Sequence, residues 1–354
     1  MNISVIIPVY NVEKYVERCI LSIMSQTYTE SVECIVVNDC TPDNSMKIVE
    51  KMVSDYKGQI QFKLLYHEHN RGVAAVRNTG LDAASGDYII QIDSDDYCEP
   101  DMLEKMYAKA VEEDADIVVA DYWRSGADRE LYCTNIVSAT KISRIKDFLQ
   151  NKRQGYLWCQ LIRRLLLVDH HIKLDEGIDF AEDFNLSCKM YCYAENVAYI
   201  PKAFVHYVQY NMSSYVKSMG RKSLENIIQG EKAIMNFFEE KGMHKEVYED
   251  LLMWRISHFV ILLFRSEGKL QRKIISLYSD IPPFIKLKYL TVSRKSSFYW
   301  LVAHFFASLR ILFIYNLMRA FWKTLKKKAS STNFIFFRII CMNHWNHHEY
   351  TIDF

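Results

Sequence analysis

The sequence lacks cysteine pairs of the kind that bind zinc or carry redox chemistry. Its nine cysteines are scattered, and none of them form a C-x-x-C pair. Cys188 and Cys192 have the spacing of one face of a helix rather than that of a zinc knuckle. We therefore interpret the cysteines as reduced thiols in the core of a cytosolic protein.

Net charge, targeting segments and glycine-rich loops are also scarce. The formal net charge is +1, so the overall electrostatics favour no nucleic-acid partner. The first residues already have the pattern of a strand, and we expect no signal peptide. No G-x-G-x-x-G motif follows that strand, which argues against a dinucleotide site of the usual kind.

Length and composition predict a main domain with an extension. The chain has 354 residues, of which 50% are hydrophobic, so it exceeds a usual single domain and has ample material for a core. We place the main domain at residues 1–215 and a helical extension at residues 216–354.

Strand and helix patterns alternate along the first part of the chain. Buried-strand patterns occupy residues 3–8, 32–38, 61–67, 88–92 and 116–120, and helical patterns occupy residues 12–26, 45–55, 73–84 and 100–113. This alternation predicts an α/β fold with a mostly parallel, Rossmann-like sheet that is flanked by helices.

One of these strands leads directly into a group of acids. Residues 88–92 are typical of a central strand that is covered on both faces, and Asp93, Asp95 and Asp96 follow it. Open α/β sheets bind ligands beyond the carboxyl ends of their strands. Carboxylates this close repel one another unless a cation lies among them, and such oxygen ligands suit Mg²⁺ or Mn²⁺. The alternative is a solvated acidic turn before a helix.

Five motifs in a fixed order carry a resemblance to a known family. They are residues 4–11 (SVIIPVYN), 25–28 (SQTY), 38–45 (NDCTPDNS), 70–72 with 77–80 (NRG and RNTG) and 93–96 (DSDD). Together they resemble the family 2 glycosyltransferases of GT-A fold. The resemblance implies an inverting transfer of a hexosyl or N-acetylhexosaminyl group from a nucleotide-sugar donor, with a divalent cation. It also implies a nucleotide-sugar half at about 1–120 and an acceptor half at about 121–215.

The resemblance assigns the nucleotide-sugar site to the ends of the first strands. Asp39 would accept a hydrogen bond from the imide N–H of uracil, which favours a UDP-sugar. Arg77 resembles the family arginine that faces the diphosphate. The alternatives are an Asx turn or helix cap for Asp39 and a surface role for Arg77. The predicted nucleotide-sugar residues are Pro8, Val9, Tyr10, Asn11, Asp39, Arg77, Asp93 and Ser94, of which the first three would wall the base.

The same resemblance predicts a site for Mn²⁺ or Mg²⁺. Asp95 matches the principal metal ligand, and Asp93 matches the acid that contacts the ribose or the metal. Asp96 would support them or face the acceptor. His206 lies in a later strand pattern and is a third predicted ligand. Its alternative is a packed strand histidine.

Two acids at the start of a later helix are the predicted catalytic base. Glu182 and Asp183 open a helical pattern that runs to about Ala194. A general base must take the proton of the attacking hydroxyl as the bond to the leaving phosphate breaks. We predict that Asp183 does so, with Glu182 as the second choice. The alternative is that both acids only stabilise the first turn of the helix.

The extension is basic and aromatic. Residues 281–330 contain no Asp or Glu, and the apolar stretch 299–322 is interrupted by Arg310 and Arg319. Because a central arginine opposes a membrane-spanning helix, we predict an interfacial helix with the lysines at 323 and 326–328 against anionic lipid. The alternative is a soluble helical extension with a basic solvated face.

These expectations combine into an enzyme of surface polysaccharide synthesis. The predicted acceptor is a glycan or a polyprenyl-linked glycan, and the predicted location is the cytoplasm at the inner face of the cell membrane, with peripheral membrane contact. One alternative is a nucleotidyltransferase on a related sheet, although the first strand lacks a basic, glycine-rich loop for a triphosphate. The other is a non-catalytic, membrane-associated protein that binds sugar nucleotides.

Overall fold

The computed structural model describes residues 1–178, 182–211, 221–282, 312 and 314–320. Its backbone packing divides the chain into two compact units. The first comprises residues 1–148 and 153–245, and the second comprises residues 149–152 together with those from 246 onward. The first unit therefore extends past residue 215, and the division into domains at that residue stays a prediction.

The secondary structure follows the predicted alternation over the first 120 residues, except for a short strand at Tyr97–Cys98 that the sequence does not predict. The strands are β1 (Ile3–Val9), β2 (Val32–Asn38), β3 (Gln61–Tyr66), β4 (Tyr88–Gln91), β5 (Tyr97–Cys98), β6 (Ile117–Ser125), β7 (Glu130–Cys133), β8 (Gln160–Arg163) and β9 (Val197–Val208). The helices are α1 (Val16–Met24), α2 (Ser45–Asp55), α3 (Val73–Ala83), α4 (Met102–Glu112), α5 (Lys141–Leu149), α6 (Arg164–Asp169), α7 (Glu182–Tyr191), α8 (Arg221–Glu240), α9 (His244–Arg265) and α10 (Lys269–Leu277), with a 3₁₀ turn at Leu157–Cys159.

The described strands form one mixed sheet. Its order is β3-β2-β1-β4-β8-β6-β9-β5, and β7 pairs with β6 at the side. β1 to β4 are parallel, as the sequence predicts, because helices connect them. β8 is antiparallel to both β4 and β6, and β9 is parallel to β6. The sheet is therefore parallel in its first half and mixed in its second half.

The core explains why β1 and β2 lie at the centre of the parallel half. Their side chains are almost all buried, as expected for strands that are covered on both faces. α3 packs closely on β1 at Gly80, where a Cβ atom would lie 2.4 Å from Cγ2 of Ile6. This close approach fixes the height of α3 above the sheet, and α3 carries Arg77.

The loops after β1 and β2 are joined to each other, which corrects one predicted boundary. The sequence predicts a helix from residue 12, but α1 begins at Val16. The backbone N–H groups of Asn11, Val12 and Glu13 donate instead to side chains of the loop after β2, at 2.8, 3.1 and 2.9 Å. N–H groups at the start of a helix have no partner within it, so these bonds satisfy the backbone just before α1 and join it to the loop.

The second unit contains helices with buried apolar side chains. Phe259 and Leu263 of α9 and Ile274 of α10 are buried. Arg319, one of the basic residues of the extension, donates to the carbonyl oxygens of Phe264 and Ser266 at 3.0 and 2.6 Å. Arg319 is therefore a buried structural residue.

Most of the predicted membrane-facing segment lies outside the described residues, including the lysines at 323 and 326–328. In the described part of the chain, no helix has both the length and the apolar character needed to cross a membrane.

Candidate functional site

The three acids after β4 lie at the carboxyl edge of the sheet and are buried to different extents. The side chain of Asp93 is 28% exposed, that of Asp95 is half-buried, and that of Asp96 is fully buried. Asp95 accepts a hydrogen bond from Nδ2 of Asn211 at 2.8 Å, and Oδ1 of Asp96 accepts one from the N–H of Val208 at 2.8 Å. The second oxygen of Asp96 has no hydrogen-bond partner among the described residues.

Burial and the neighbouring charges raise the pKa values of Asp95 and Asp96. Burial, and then the charge of Asp93, raise the pKa of Asp95 above its ordinary value. Burial raises the pKa of Asp96 well above its ordinary value, and the charges of Asp95 and Asp93 add to this effect. Bringing a cation to this edge would offset both causes, since it replaces the lost solvation and neutralises the repulsion.

The donor set fits a hard divalent cation that also takes ligands from a substrate. Asp93 and Asp95 supply carboxylate oxygens, which Mg²⁺ and Mn²⁺ prefer. Across the described ranges, no group of three or more His, Cys, Asp or Glu side chains is arranged to enclose a metal ion by itself. An ion held here would need oxygens from water or phosphate to complete its shell, which is the usual situation for Mg²⁺.

Arg77 connects the acids of β4 to the acids of α7. Its guanidinium group is buried, and it donates to Oε1 of Gln91 at 2.8 Å and to Oδ1 of Asp93 at 2.6 Å. Its Nε atom lies 3.8 Å from Oε1 of Glu182. Burial lowers the pKa of Arg77, but the charges of Asp93 and Glu182 outweigh it, and the net shift is upward. The beginning of α7 therefore lies at the same edge of the sheet as the acids after β4.

The two acids of α7 are both held toward their protonated forms. Burial raises the pKa of Glu182 to about 8, and the adjacent charge of Asp183 acts in the same direction. Burial also raises the pKa of Asp183, against the opposing charge of Arg77. Oδ1 of Asp183 accepts a hydrogen bond from the N–H of Phe184 at 2.7 Å. A carboxyl group with a raised pKa is a stronger base once it is ionised.

A buried network holds the beginning of α7 in place, and the sequence did not predict it. Gly155 lies against the helix, where a Cβ atom would be 2.7 Å from Cα of Phe184 and 3.2 Å from the carbonyl oxygen of Asp183. Oγ of Ser187 donates to the carbonyl oxygen of Gly155 at 2.9 Å. Nε2 of Gln160 lies 3.2 Å from Oγ of Ser187. In the sequence, the sole indication of this contact is a glycine in a segment that lacks a clear helix or strand pattern.

Asp39 is buried at the end of β2 and already has several partners. Its carboxylate accepts hydrogen bonds from the N–H groups of Arg71 and Gly72 at 2.8 and 2.9 Å, and Nδ1 of His67 lies 2.8 Å from Oδ1. Gly72 has a φ of +89°, a conformation that favours glycine. The predicted contact with uracil would use the remaining lone pairs, and it stays a prediction. The sequence did not predict the contact between His67 and Asp39.

The other predicted nucleotide-sugar residues differ in exposure. Tyr10 is 48% exposed, whereas Val9 is fully buried in the core, so that only its backbone could contact a base. Pro8 is half-buried, Asn11 is exposed with a φ of +54°, and Ser94 is buried. Tyr10 is therefore the better candidate for an aromatic contact with a nucleoside.

His206 lies between two carboxylates rather than alone. Its Nδ1 and Nε2 atoms are 2.8 Å and 3.0 Å from carboxylate oxygens of Glu130 and Glu99. Its ring stacks on that of Tyr97 at a centroid distance of 4.3 Å. Binding a metal ion through His206 would require one of these carboxylate contacts to be replaced, and the role of His206 as a ligand stays a prediction.

Sequence comparisons identify similar proteins. The family model described as Glycosyl transferase family 2 matches residues 4–165. The uncharacterized glycosyltransferase EpsJ of Bacillus subtilis (strain 168) is 30% identical over 269 residues, which cover 74% of this chain and 76% of EpsJ. The poly(ribitol-phosphate) beta-N-acetylglucosaminyltransferase TarS of Staphylococcus aureus is 27% identical over 225 residues, which cover 62% of this chain and 37% of TarS.

Structural comparison identifies the fold. The crystal structure of S. aureus TarS residues 1–349 has a TM-score of 0.65 and 20% sequence identity, with 92% of each chain covered. The same protein in complex with UDP-GlcNAc has a TM-score of 0.66, with 92% coverage of both chains. This likeness confirms the predicted α/β architecture of the GT-A type, with helices after the sheet.

Proposed function

The chain belongs to glycosyl transferase family 2 and is a glycosyltransferase, and we propose that it transfers a sugar from a UDP-sugar to a hydroxyl group of a glycan or lipid-linked glycan with inversion at the anomeric carbon. One observation carries this proposal. Arg77 contacts Asp93 at 2.6 Å and approaches Glu182 at 3.8 Å. The acids proposed to hold the cation and the acids proposed as the base therefore lie at the same edge of the sheet.

The residues at the ends of β1 and β2 support a nucleotide donor. Asp39 is a buried carboxylate that is fixed by backbone N–H groups, and Tyr10 offers an exposed ring nearby in the fold. The relative TarS has been crystallised with UDP-GlcNAc and with UDP. We therefore propose a UDP-hexose or UDP-N-acetylhexosamine as the donor.

A divalent cation completes the proposed donor site. The family resemblance implies such a cation, and Asp93 and Asp95 would hold it. When bound, it neutralises negative charge on the departing diphosphate. Arg77 donates a hydrogen bond to Asp93, and Asn211 donates one to Asp95. These contacts fix the two carboxylates before the donor arrives, which lowers the reorganisation needed during the reaction.

Asp183 is the proposed base. Its ionised carboxylate takes the proton of the acceptor hydroxyl, the hydroxyl oxygen forms a bond to the anomeric carbon, and the bond from that carbon to the diphosphate oxygen breaks. UDP leaves with the bonding electrons. Burial raises the pKa values of both acids, that of Glu182 to about 8. The two carboxyl groups therefore titrate together, and loss of a proton from the pair leaves the negative charge that accepts the proton of the hydroxyl.

The acceptor and the cellular place of the reaction rest on the sequence alone. The basic, aromatic block at residues 281–330 supports peripheral contact with the inner face of the cell membrane. A polyprenyl-linked glycan in surface polysaccharide synthesis would be presented there.

The decisive experiment is a donor screen with matched variants. UDP-, GDP- and TDP-sugars are supplied with a panel of glycan acceptors, and nucleoside diphosphate release is measured with Mn²⁺ and with EDTA. We expect Mn²⁺-dependent release from a UDP-sugar. We expect Asp95→Ala and Asp183→Asn to lose activity by about 10²-fold or more, because each removes a group that acts at the reacting centre.

An exposed acid provides the control. Asp128 lies on the surface, and Asp128→Asn should keep wild-type rates. Full transfer by Asp95→Ala or Asp183→Asn would contradict the assigned roles. Release of pyrophosphate from nucleoside triphosphates would favour a nucleotidyltransferase, and donor binding without any transfer would favour the non-catalytic alternative.

A further inference from the structure

Four aromatic side chains from three elements form one cluster at the acid edge of the first unit. Trp158 stacks on Tyr156 with a centroid distance of 4.7 Å and an interplanar angle of 15°. Tyr207 lies 5.5 Å from Tyr156 and 5.4 Å from Trp158, between ring centroids. Tyr122 meets Trp158 edge to face at 4.9 Å. We call these four side chains the aromatic platform.

Burial divides the platform into a base and an outer surface. Trp158 and Tyr122 are only 3% and 6% exposed, and they support the other two rings. Tyr156 and Tyr207 are both half-buried, so they form its outer part. Their ring planes are inclined by 46°, so each ring offers an apolar face of its own, against which the C–H groups of a pyranose ring can pack.

The direction of the strands brings the platform to the acids. β8 runs antiparallel to β4, with Tyr88 opposite Arg163, so the residues just before β8 lie beyond the end of β4. β9 runs in the same direction as β4, because it is parallel to β6, which is antiparallel to β8. Tyr156, before β8, and Tyr207, near the end of β9, therefore reach the edge where Asp93 lies.

Contacts made by the chain neighbours of Tyr207 and Tyr156 bring both acid groups close to the platform. Val208, next to Tyr207, donates its N–H to Asp96 at 2.8 Å. Burial and the charges of Asp96 and Asp93 raise the pKa of Tyr207. On the other side, Gly155, next to Tyr156, lies against the backbone of Asp183. Tyr207 is thus next in the chain to a residue that contacts Asp96, and Tyr156 is next to a residue that contacts the backbone of Asp183.

We propose that Tyr156 and Tyr207 form the acceptor subsite of this glycosyltransferase and that they hold a pyranose ring by stacking, with its reactive hydroxyl toward Asp183. The proposal rests on the proposed function for the identity of the base. Asp39 follows β2, on the far side of β4 in the sheet order. The uracil end of the donor is therefore remote from the platform, which leaves the platform to the acceptor.

The chemical class of the acceptor follows from the surface. Flat rings favour a cyclic sugar whose axial C–H groups lie on one face, whereas an open-chain polyol phosphate has no such face. The relative TarS is named for transfer to poly(ribitol-phosphate). From the flat rings of the platform we infer that this chain acts on a ring sugar.

The test measures binding of simple sugars to the whole chain in the presence of UDP and Mn²⁺. The probes are methyl β-D-glucopyranoside and methyl N-acetyl-β-D-glucosaminide, with ribitol 5-phosphate as the open-chain comparison. Saturation-transfer NMR is recorded with irradiation of the aromatic protons. In the wild-type protein we expect the strongest transfer to C–H protons on one face of the pyranose ring.

Variants then locate the binding surface. Tyr156→Leu and Tyr207→Leu should weaken pyranoside binding by about tenfold, the size of effect that an aromatic contact supplies. Tyr207→Phe keeps the ring and should stay within about twofold of wild type. Tyr248→Leu replaces an exposed tyrosine of α9 and should have no effect. UDP affinity, measured by titration calorimetry, should be unchanged in all four variants and shows that they are folded.

Three results would overturn the subsite: wild-type protein that binds neither pyranoside, Leu variants that bind UDP and pyranoside as wild type does, or a preference for ribitol 5-phosphate. These outcomes are separate from a failure of the proposed function. Pyranoside binding is measured without turnover, so a platform that binds sugar in a protein that never releases UDP from UDP-sugars would refute the function and leave the subsite standing.

Discussion

Arg77 is the side chain through which the two acid groups of the site are connected. Its three nitrogens face Gln91, Asp93 and Glu182. A planar guanidinium group can face three partners in fixed directions, whereas the ammonium group of lysine is a single point charge. The geometry of the site therefore depends on arginine as such and not only on positive charge.

Arg77→Lys should lower the free energy of unfolding by about 1–3 kcal/mol, because the ammonium group keeps the charge but cannot contact Gln91, Asp93 and Glu182 together, so a buried partner loses its hydrogen bond. Urea denaturation monitored by circular dichroism measures the change. The control is Arg71→Lys, whose partner Glu176 is 49% exposed, and an exposed pair of this kind contributes less than about 1 kcal/mol. Equal effects at both positions would contradict the structural role of Arg77.

Titration of Glu182 should make the free energy of unfolding depend on pH. Its pKa is about 8 in the folded protein against an ordinary value of 4.5, so the folded state holds a proton that the unfolded state releases. Raising the pH across this interval therefore favours unfolding. In EDTA and without nucleotide, this contribution to the free energy of unfolding should be present below about pH 4.5 and lost as the pH approaches 8.

Glu182→Gln should remove this dependence, because an amide does not titrate in the interval. The measurement is a series of urea unfolding curves between about pH 5 and 8 for wild type and variant. Glu176→Gln, at an exposed position, serves as control and should keep the wild-type slope. A difference between wild type and Glu182→Gln that is constant with pH would count against the raised pKa.

Single residues differ in whether the sequence predicts their contacts. Asp93, Asp95 and Asp183 were predicted as site residues from their types and from the family resemblance, and their roles stay predictions. The ion pair of Arg77 with Glu182 joins residues more than a hundred positions apart, and no local pattern encodes it. The two carboxylate neighbours of His206 were likewise invisible, since Glu99 and Glu130 come together only when β5 and β7 are in place.

The helix α7 is positioned by a loop that approaches its backbone at Gly155. A methyl group at that residue would lie 2.7 Å from Cα of Phe184, so the loop or the helix would have to move. Asp183 is part of the contact. A small displacement of a catalytic group has a large effect on rate, because the reaction requires a narrow range of geometries.

Gly155→Ala should therefore lower kcat by about 10²-fold and leave the Kd for UDP within about twofold of wild type, because the donor residues lie on other elements. The free energy of unfolding should fall by about 1–3 kcal/mol through overpacking. Steady-state kinetics and titration calorimetry separate the two effects. Gly126→Ala, in the turn between β6 and β7, is the matched control and should leave kcat unchanged.

The elements differ in how well the sequence predicts them. β1 to β4 and the helices between them were predicted because buried apolar runs alternate with amphipathic ones. α1 begins four residues later than predicted, and the N–H groups of residues 11–13 just before it donate to side chains of residues 41–45. β7, α5 and the turn before β8 fall in a segment without clear periodicity, where long-range packing decides the structure.

The protein as a whole should respond to UDP and Mn²⁺ together more than to either alone. The acids at the edge and the diphosphate both carry negative charge, so an ion between them favours both partners, and this coupling is reciprocal. At ligand concentrations of about 100 times Kd, stabilisation should approach about 2.7 kcal/mol. Differential scanning calorimetry with UDP, Mn²⁺ or both measures the Tm.

Asp95→Ala should reduce the joint effect to the sum of the separate ones, whereas Asp128→Asn should preserve it. If the shift with both ligands equals that sum in the wild-type protein, the ion does not bridge the acids and the diphosphate.

The balance of charge at this edge has a consequence for the sequence of events in a catalytic cycle. Carboxyl groups from two elements, Asp93 and Asp95 after β4 and Asp183 at the start of α7, lie there, and Arg77 is already engaged by its neighbours. Free UDP-sugar, itself an anion, would meet repulsion on arrival. We therefore expect ordered binding, in which the metal enters first or travels with the nucleotide as a chelate. After transfer, the loss of UDP with its ion would restore the repulsive edge and discourage product from returning.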